Sequence, residues 1–301
     1  MDGVKSGIFL PSFWDNYGSR GIAQAMREVA AAADALGFDS LWASDHIVAS
    51  EEDPERARCI EPIVLMGMLA QQFPHMIVGT DVLVLPQRNA VLVAKQAATL
   101  SVLSGGRFIL GIGAGWNRDE FRMLGADFDH RGKHTDEAIH LMRTLWRQTP
   151  VSFEGDFYHL ENAYFYPDPA GDGPPVWIGG FSGPAVSRAA RLGDGWMPFW
   201  GSWRDFALDL EKFRKKAARL RGTGRAIQIA ANVPLRIISG SDEHATDAPQ
   251  SVEQIVETLL AYRAAGLETV LWNIQSNDLD DYIQQMRLVS EKIVPVIHNI
   301  D

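Results

Sequence analysis

The chain has 301 residues, 46% hydrophobic and 22% charged, with 28 basic and 38 acidic side chains and a formal net charge of -10. This length suits one large α/β domain or two ordinary ones, and it is enough to bury about three quarters of the unfolded surface. The chain is acidic, and its one short basic segment, 212–225, has the pattern of a solvated helix face, so we expect no nucleic-acid partner. The single cysteine, Cys59, excludes an internal disulfide, and without a signal-like start or a long apolar run we expect a cytoplasmic protein with no membrane partner.

Helices that stop at glycine and lead into an apolar strand recur along the chain. A glycine just past a helix takes the left-handed conformation that lets the backbone turn back. Segments 36–42, 103–108, 192–196 and 265–272 all follow this pattern. Together they predict strands at 8–11, 40–45, 77–85, 108–113, 176–179, 195–199, 227–235 and 269–274.

Apolar strands that alternate with amphipathic helices are typical of a parallel sheet covered by helices. Eight of them in one chain predict an α/β fold of the (β/α)8 TIM-barrel type, with an open doubly wound sheet as the alternative. We expect a single domain over 1–301, with a rim insertion at about 116–175. Within it the pattern predicts a helix that ends near Arg147 and a hairpin at 151–160.

The segment 104–121 combines a turn, a strand and a glycine-rich strand end. Gly111, Gly113 and Gly115 remove side chains from that end, either to admit a flat ligand or to let the strand pass through a crowded barrel centre. A dinucleotide fingerprint is disfavoured because Trp116 occupies the position of its last glycine.

In a TIM barrel the reacting groups lie at the carboxyl ends of the strands. Asp45 and His46 end the second predicted strand, where a histidine beside a carboxylate either transfers a proton or forms a buried hydrogen-bonded pair. Thr80 and Asp81 interrupt the third strand, and a structural bend is the simpler explanation for them.

The fifth and sixth predicted strands also end in informative residues. Gly180, Phe181, Ser182 and Gly183 open a helix, where free backbone N–H groups attract phosphate, although an ordinary strand-to-helix turn has the same composition. Trp196 and Trp200 belong to an aromatic cluster that suits either core packing or a pocket for a planar or apolar substrate.

Three other kinds of site are disfavoured. His130 and His134 have the spacing of a helical zinc pair, but Gly132 lies between them and the segment precedes the next helix, so we predict no metal site. The segment 180–184 lacks the second glycine of a nucleophile elbow, and the chain contains no Walker-type phosphate loop.

Taken as an ordered set, several segments resemble the bacterial luciferase-like monooxygenase superfamily, and most closely its branch that uses the deazaflavin coenzyme F420. The resemblance covers about residues 7–200, and the last third fits less distinctively. The matching segments are 35–46, 84–89, 94–100, 104–121, 177–180 and 193–196.

The resemblance implies a TIM barrel whose insertions cover a flavin or deazaflavin ring at the carboxyl end of the barrel. His46 would be the acid/base beside the reactive ring carbon. The remaining positions would bind the coenzyme: Asp45 by direct contact, Asp81 and Val82 through a non-proline cis peptide under one ring face, Ala114 and Gly115 along the ring, and Gly180, Phe181, Ser182 and Gly183 near its phosphate-bearing tail.

Two positions depart from the family pattern. Trp116 stands where the sugar-phosphate dehydrogenases of the F420 branch place a glutamate, which leaves the substrate open. Ala114 stands where the luciferases place an arginine for the flavin phosphate, which favours F420 over FMN.

The resulting hypothesis is an F420-dependent oxidoreductase that exchanges a hydride with a small organic substrate bound against Trp116, Trp196 and Trp200. Its alternatives are a monooxygenase that receives reduced FMN from a partner reductase, and a flavin-binding relative without turnover. The resemblance further implies a homodimer.

Overall fold

A closed barrel of parallel strands forms the centre of the computed structural model, which describes residues 3–14, 17–169, 171–198, 203–221, 226–237 and 249–298. Eight strands pair in the order β10-β12-β1-β2-β3-β5-β8-β9, and β9 pairs with β10 to close the ring. The strands are β1 (Lys5–Phe9), β2 (Ser40–Ala43), β3 (Ile77–Thr80), β4 (Leu83–Val84), β5 (Phe108–Gly113), β6 (Val151–Glu154), β7 (His159–Ala163), β8 (Val176–Gly179), β9 (Gly195–Met197), β10 (Gln228–Ile237), β11 (Pro249–Gln250) and β12 (Thr269–Ile274).

Helices surround the barrel and bury their apolar faces against it. They are α1 (Ile22–Ala35), α2 (Pro62–Gln72), α3 (Ala90–Leu103), α4 (Arg118–Met123), α5 (Arg131–Arg147), α6 (Gly183–Leu192), α7 (Trp203–Arg221), α8 (Val252–Ala265), α9 (Leu279–Leu288) and α10 (Val294–His298). None of these described helices has the length and apolarity that a membrane crossing requires.

The TIM-barrel prediction is confirmed, and the open-sheet alternative is wrong because β9 and β10 pair. The eight predicted strands all exist, with bounds that shift by a few residues. The third predicted strand is interrupted: it divides into β3 and β4, and a cis peptide joins Asp81 to Val82 between them. The resemblance had predicted that peptide.

Two tryptophans fill the barrel interior. The rings of Trp42 and Trp177 stack with centroids 5.3 Å apart. Glycines on neighbouring strands make room for them, because a Cβ at Gly79 would lie 2.4 Å from the Trp42 ring and one at Gly195 would lie 2.5 Å from Trp177. The barrel is therefore a packed core up to the level of its strand ends.

The expected rim insertion lies between β5 and β8 and contains α4, α5 and the antiparallel hairpin β6–β7. The end of α5 at Arg147 matches the prediction. Glu137 of α5 accepts hydrogen bonds of 2.8 Å from the backbone N–H groups of residues 156, 157 and 158, so one carboxylate fixes the hairpin turn to the helix.

Candidate active site

His46 lies just past β2 and is held by a buried carboxylate. Its Nδ1 lies 3.3 Å from Oε2 of Glu120, on α4. The other oxygen of Glu120 accepts a 2.8 Å hydrogen bond from the backbone N–H of Ile47. Burial raises the pKa of Glu120, but the hydrogen bonds from His46 and Ile47 outweigh it and hold that pKa below its ordinary value. The carboxylate therefore fixes both the orientation of His46 and the loop that carries it.

Arg56 determines which nitrogen of a neutral His46 carries the proton. Its Nη1 lies 3.2 Å from Nε2 of His46. A guanidinium has only donors, so Nε2 must accept and the proton must reside on Nδ1, from which it is donated to Glu120. His46 thus presents an unprotonated Nε2, and Arg56 occupies its lone pair.

Trp116 completes this group from the strand end after β5. Its ring meets the His46 ring edge-on at 6.4 Å, and the guanidinium carbon of Arg56 lies 4.8 Å from its centroid. The residue is 62% exposed. A large exposed aromatic beside a histidine gives the site an apolar wall on which a ligand can pack.

Asp45 precedes His46 but points into the protein. Its Oδ2 accepts from the backbone N–H of Val84 at 2.9 Å and from Nε of Arg88 at 3.1 Å, while its Oδ1 accepts from Nη2 of Arg88 at 2.6 Å. The side chain is 1% exposed. The predicted contact between Asp45 and the coenzyme therefore has no accessible carboxylate to make it, and the residue instead ties the end of β2 to β4.

The glycine-rich strand end serves several packing needs at once. A Cβ at Gly111 would lie 1.9 Å from the backbone oxygen of Thr80, so this glycine permits close strand contact. Cβ atoms at Gly113 and Gly179 would lie 2.8 and 2.6 Å from the Val82 side chain. The bare backbone of two strands is therefore covered by Val82, which forms an apolar surface between β5 and β8.

Ala114 and Gly115 continue this strand end at the rim, and both are partly exposed. Gly115 has a φ of +77°, and a Cβ there would lie 2.6 Å from the ring of Phe121. Since Val82, Ala114 and Gly115 follow one another across the ends of neighbouring strands, the structure brings these three predicted coenzyme contacts together.

The start of α6 lies at the end of β8. Ser182 is its N-cap and accepts a 3.4 Å hydrogen bond from the backbone N–H of Ala185. Gly180, with a φ of +96°, turns the chain into the helix. Phe181 is 62% exposed, and the space around a Cβ on Gly183 is open to 4 Å. An accessible helix start with no side chain at its first residue is suited to a phosphate.

Of two predicted pocket residues on the sixth strand and after it, one is buried in the core and the other lies outside the described residues. Trp196 is fully buried, stacks on Phe213 at 4.6 Å and donates from Nε1 to the backbone oxygen of Gly180 at 2.9 Å. The structure therefore corrects the prediction that Trp196 lines the substrate pocket. Trp196 belongs to the core between β9 and α7. Trp200 lies outside the described residues.

Asp81 is hydrogen-bonded to Asn232, a residue that the sequence analysis did not single out. Its Oδ2 accepts a 2.6 Å hydrogen bond from Nδ2 of Asn232, on β10. Burial raises the pKa of Asp81 to about 6, against the lowering effect of this hydrogen bond. The residue as a whole is nevertheless partly exposed.

Glu120, Arg56, Arg88 and Asn232 were all missed as site residues. Only Glu120 had a usable local signal, because Asn117 caps α4 by accepting from the backbone N–H groups of residues 119 and 120. An N-cap at a strand end places the acid three residues later in the first turn of a helix. The other three reach the site from distant or irregular segments.

The model of the luciferase-like monooxygenase family matches residues 4–285. The chain belongs to this family. Among its relatives, an F420-dependent glucose-6-phosphate dehydrogenase of Amycolatopsis mediterranei is 34% identical over 187 residues, which are 60% of this chain and 55% of the relative. The corresponding enzyme of Mycobacterium avium is 36% identical over 190 residues, again 60% and 55%. The chain thus spans about half the length of these curated relatives.

Solved structures share the fold over nearly the whole chain. An F420-dependent secondary alcohol dehydrogenase with an F420-acetone adduct superposes with a TM-score of 0.81 at 20% identity and covers 99% of this chain and 100% of its own. A monooxygenase of Streptomyces bottropensis gives a TM-score of 0.81 at 18% identity, with coverages of 97% and 99%.

Proposed function

We propose that the protein is an F420-dependent oxidoreductase that exchanges a hydride between the coenzyme and a small organic substrate. The observation that carries the proposal is the position of His46 at the barrel mouth, fixed by Glu120 with Nε2 as its acceptor nitrogen. The F420-dependent relatives and the family membership support the same chemistry.

The residues at the mouth fit a tricyclic coenzyme. Val82 covers two strand ends with one apolar surface, on which a flat ring can rest. Trp116 and Phe181 are each 62% exposed, so both rings present apolar surface to a ligand. At the start of α6, the space beside Gly183, the first residue of the helix, is open to 4 Å and leaves room for an anionic tail.

Each residue then has a distinct role. When bound, F420 accepts or supplies the hydride at its ring carbon. His46 takes up or releases a proton at Nε2, where Arg56 competes for the lone pair. Glu120 stabilises the charge that His46 acquires, and Asp45 acts as a positioning residue that holds the end of β2.

The finer features of this proposal rest on the family resemblance. We infer a homodimer in the cytoplasm, with a small organic molecule bound against Trp116. A second candidate is oxygen activation by reduced FMN delivered by a reductase, and the family name favours it. The absence of an arginine at Ala114 favours F420.

Titration with each oxidised coenzyme separates the two candidates. We expect F420 to change its absorbance on binding and to stabilise the protein by about 2.7 kcal/mol at 100 times its Kd, with FMN weaker by tenfold or more. The opposite order would favour the monooxygenase. Tight binding without turnover under any donor or acceptor would indicate a binding protein.

The variant His46→Ala tests the assigned proton carrier. We expect turnover to fall by about 100-fold or more, the range of general acid–base catalysis, with the Kd for F420 changed less than threefold. Asp168→Asn, on an exposed loop, is the control for handling and folding. Normal turnover in His46→Ala would refute the role of His46 and leave the coenzyme assignment intact.

A further inference from the structure

Asp81 and Asn232 form a polar pair across the barrel that the proposed proton path does not use. Asp81 follows β3, and Asn232 lies on β10, four strands away around the ring. Their 2.6 Å hydrogen bond therefore spans the barrel interior beneath the mouth. Nearly all of Asn232 is buried, since only 5% of its surface is exposed.

Both residues keep unused acceptor capacity. Oδ1 of Asn232 is buried and has no hydrogen-bond partner in the part of the chain that the structure describes. The carboxylate of Asp81 accepts only from Asn232 among the described side chains, although two oxygens can accept about four bonds. Native proteins rarely leave such atoms unpaired, so a buried acceptor without a partner indicates that a donor binds there.

No described residue donates a hydrogen bond to Oδ1 of Asn232 in the pair. The barrel-interior cluster beside it consists of apolar side chains: Phe9, Trp42, Trp177, Met197, Ala230 and Leu271, with Val82 and Ile109 packed against them. The ionisable residues at the end of the adjacent β2 are engaged elsewhere, Asp45 with Arg88 and His46 with Glu120.

We propose that Asp81 and Asn232 together bind a hydrogen-bond donor of the substrate, a hydroxyl or amino group, and so select the alcohol or amine over the matching carbonyl compound. The unpaired positions are both acceptors, a buried amide oxygen and a carboxylate oxygen, and a carbonyl group has no proton to give them. This inference rests on the proposed function and adds the substrate class.

Propan-2-ol and acetone are suitable probes because they share a carbon skeleton and differ in the donor. Their dissociation constants are measured by ligand-observed NMR titration of the wild-type protein alone, since the pair is already formed in it. We expect propan-2-ol to bind at least about fivefold more tightly, because one neutral hydrogen bond is worth that much and one to a carboxylate is worth more. Equal or absent binding of the two probes overturns the proposal.

Three variants of Asp81 and Asn232 test whether the preference for propan-2-ol arises at this pair. Asn232→Leu removes the orphan oxygen, and Asp81→Asn supplies an amide donor that satisfies it, so both should abolish the preference. The exchange Asp81→Asn with Asn232→Asp rebuilds a carboxylate–amide pair and should restore it at least in part. The exchange also keeps the proposal testable if Asn232→Leu does not fold. Preference retained in Asn232→Leu or Asp81→Asn, or absent from the folded exchange variant, overturns the proposal.

Two controls separate this result from other effects. Gln285→Leu removes a buried amide whose atoms bind the backbone of Ile237 outside the barrel interior, and it should leave the preference unchanged. Titration with F420 should give a Kd within threefold of wild type for Asn232→Leu and for Gln285→Leu. A tenfold weaker Kd for F420 in Asn232→Leu, with the alcohol preference intact, would mean that the pair binds a donor of the coenzyme and would overturn the substrate assignment. Failure of the wild-type protein to bind F420 would count against the proposed function alone.

Discussion

Replacing Asp81 by asparagine should change how stability depends on pH. The pKa of Asp81 is raised from 3.8 to about 6 in the folded protein. Because the folded state binds this proton more tightly than the unfolded state does, the stabilisation is fully present below about pH 4 and is lost as the pH rises through about 6. A difference of about 2 pKa units corresponds to about 3 kcal/mol. Since part of Asp81 is accessible to solvent, this figure is an upper value.

The measurement is the free energy of unfolding in urea, for wild type and Asp81→Asn, between pH 4.5 and 7.5. Titrating groups common to both proteins cancel when the free energy of unfolding of wild type is subtracted from that of the variant. As the pH rises, this difference should increase in favour of the variant by about 1–3 kcal/mol in total and level off above about pH 7. Asp168→Asn is the matched control for loss of an exposed carboxylate. A difference that stays flat within about 0.5 kcal/mol would refute the assignment of a desolvated carboxyl to Asp81.

Three further substitutions test the site and the barrel. Glu120→Gln should lower kcat/KM about 10- to 100-fold, the worth of a hydrogen bond to a charged group, with coenzyme affinity retained in direct titration; an unchanged kcat/KM would mean that Glu120 does not assist His46. Gly183→Ala should weaken F420 binding by fivefold or more without loss of stability, because its Cβ would enter open space at the start of α6. Gly67→Ala, at an equally open helical position, is the control. Equal F420 affinity in both variants would argue against a site for the coenzyme tail at the start of α6. Gly111→Ala should destabilise the protein by at least about 2 kcal/mol in urea unfolding, since its Cβ would lie 1.9 Å from a carbonyl oxygen of the adjacent strand; a smaller loss would mean that the strands separate easily.

The sequence predicts the barrel well because its evidence is local. Each glycine stop and each apolar run reports on a few neighbouring residues, as at 36–42 and 265–272, and the parallel order then follows from helix–strand alternation. Even the hairpin of the insertion was predictable, because its alternating residues surround a turn. The break of the third strand at Asp81 needed the family resemblance.

Side-chain orientation at the strand ends was much harder to predict. Asp45 and His46 are adjacent, yet one side chain turns into the protein toward Arg88 and the other toward Glu120. Trp196 sits on a three-residue strand, where neither local pattern nor composition indicates whether a ring faces the core or the mouth. Partners separated by 43 and 74 residues decide these orientations, and no sequence period encodes them.

The glycines at the ends of β5 and β8 show how a correct local inference can miss its spatial cause. Gly113 and Gly179 look like bare backbone that a ligand could approach, but Val82, between β3 and β4, fills the space above both. A larger residue at either glycine would push Val82 toward the mouth, whereas a smaller residue at 82 would open a gap beneath any bound ring. The shape of the mouth is therefore set jointly by two absent side chains and one present one, and the three positions should tolerate substitution only in compensating combinations.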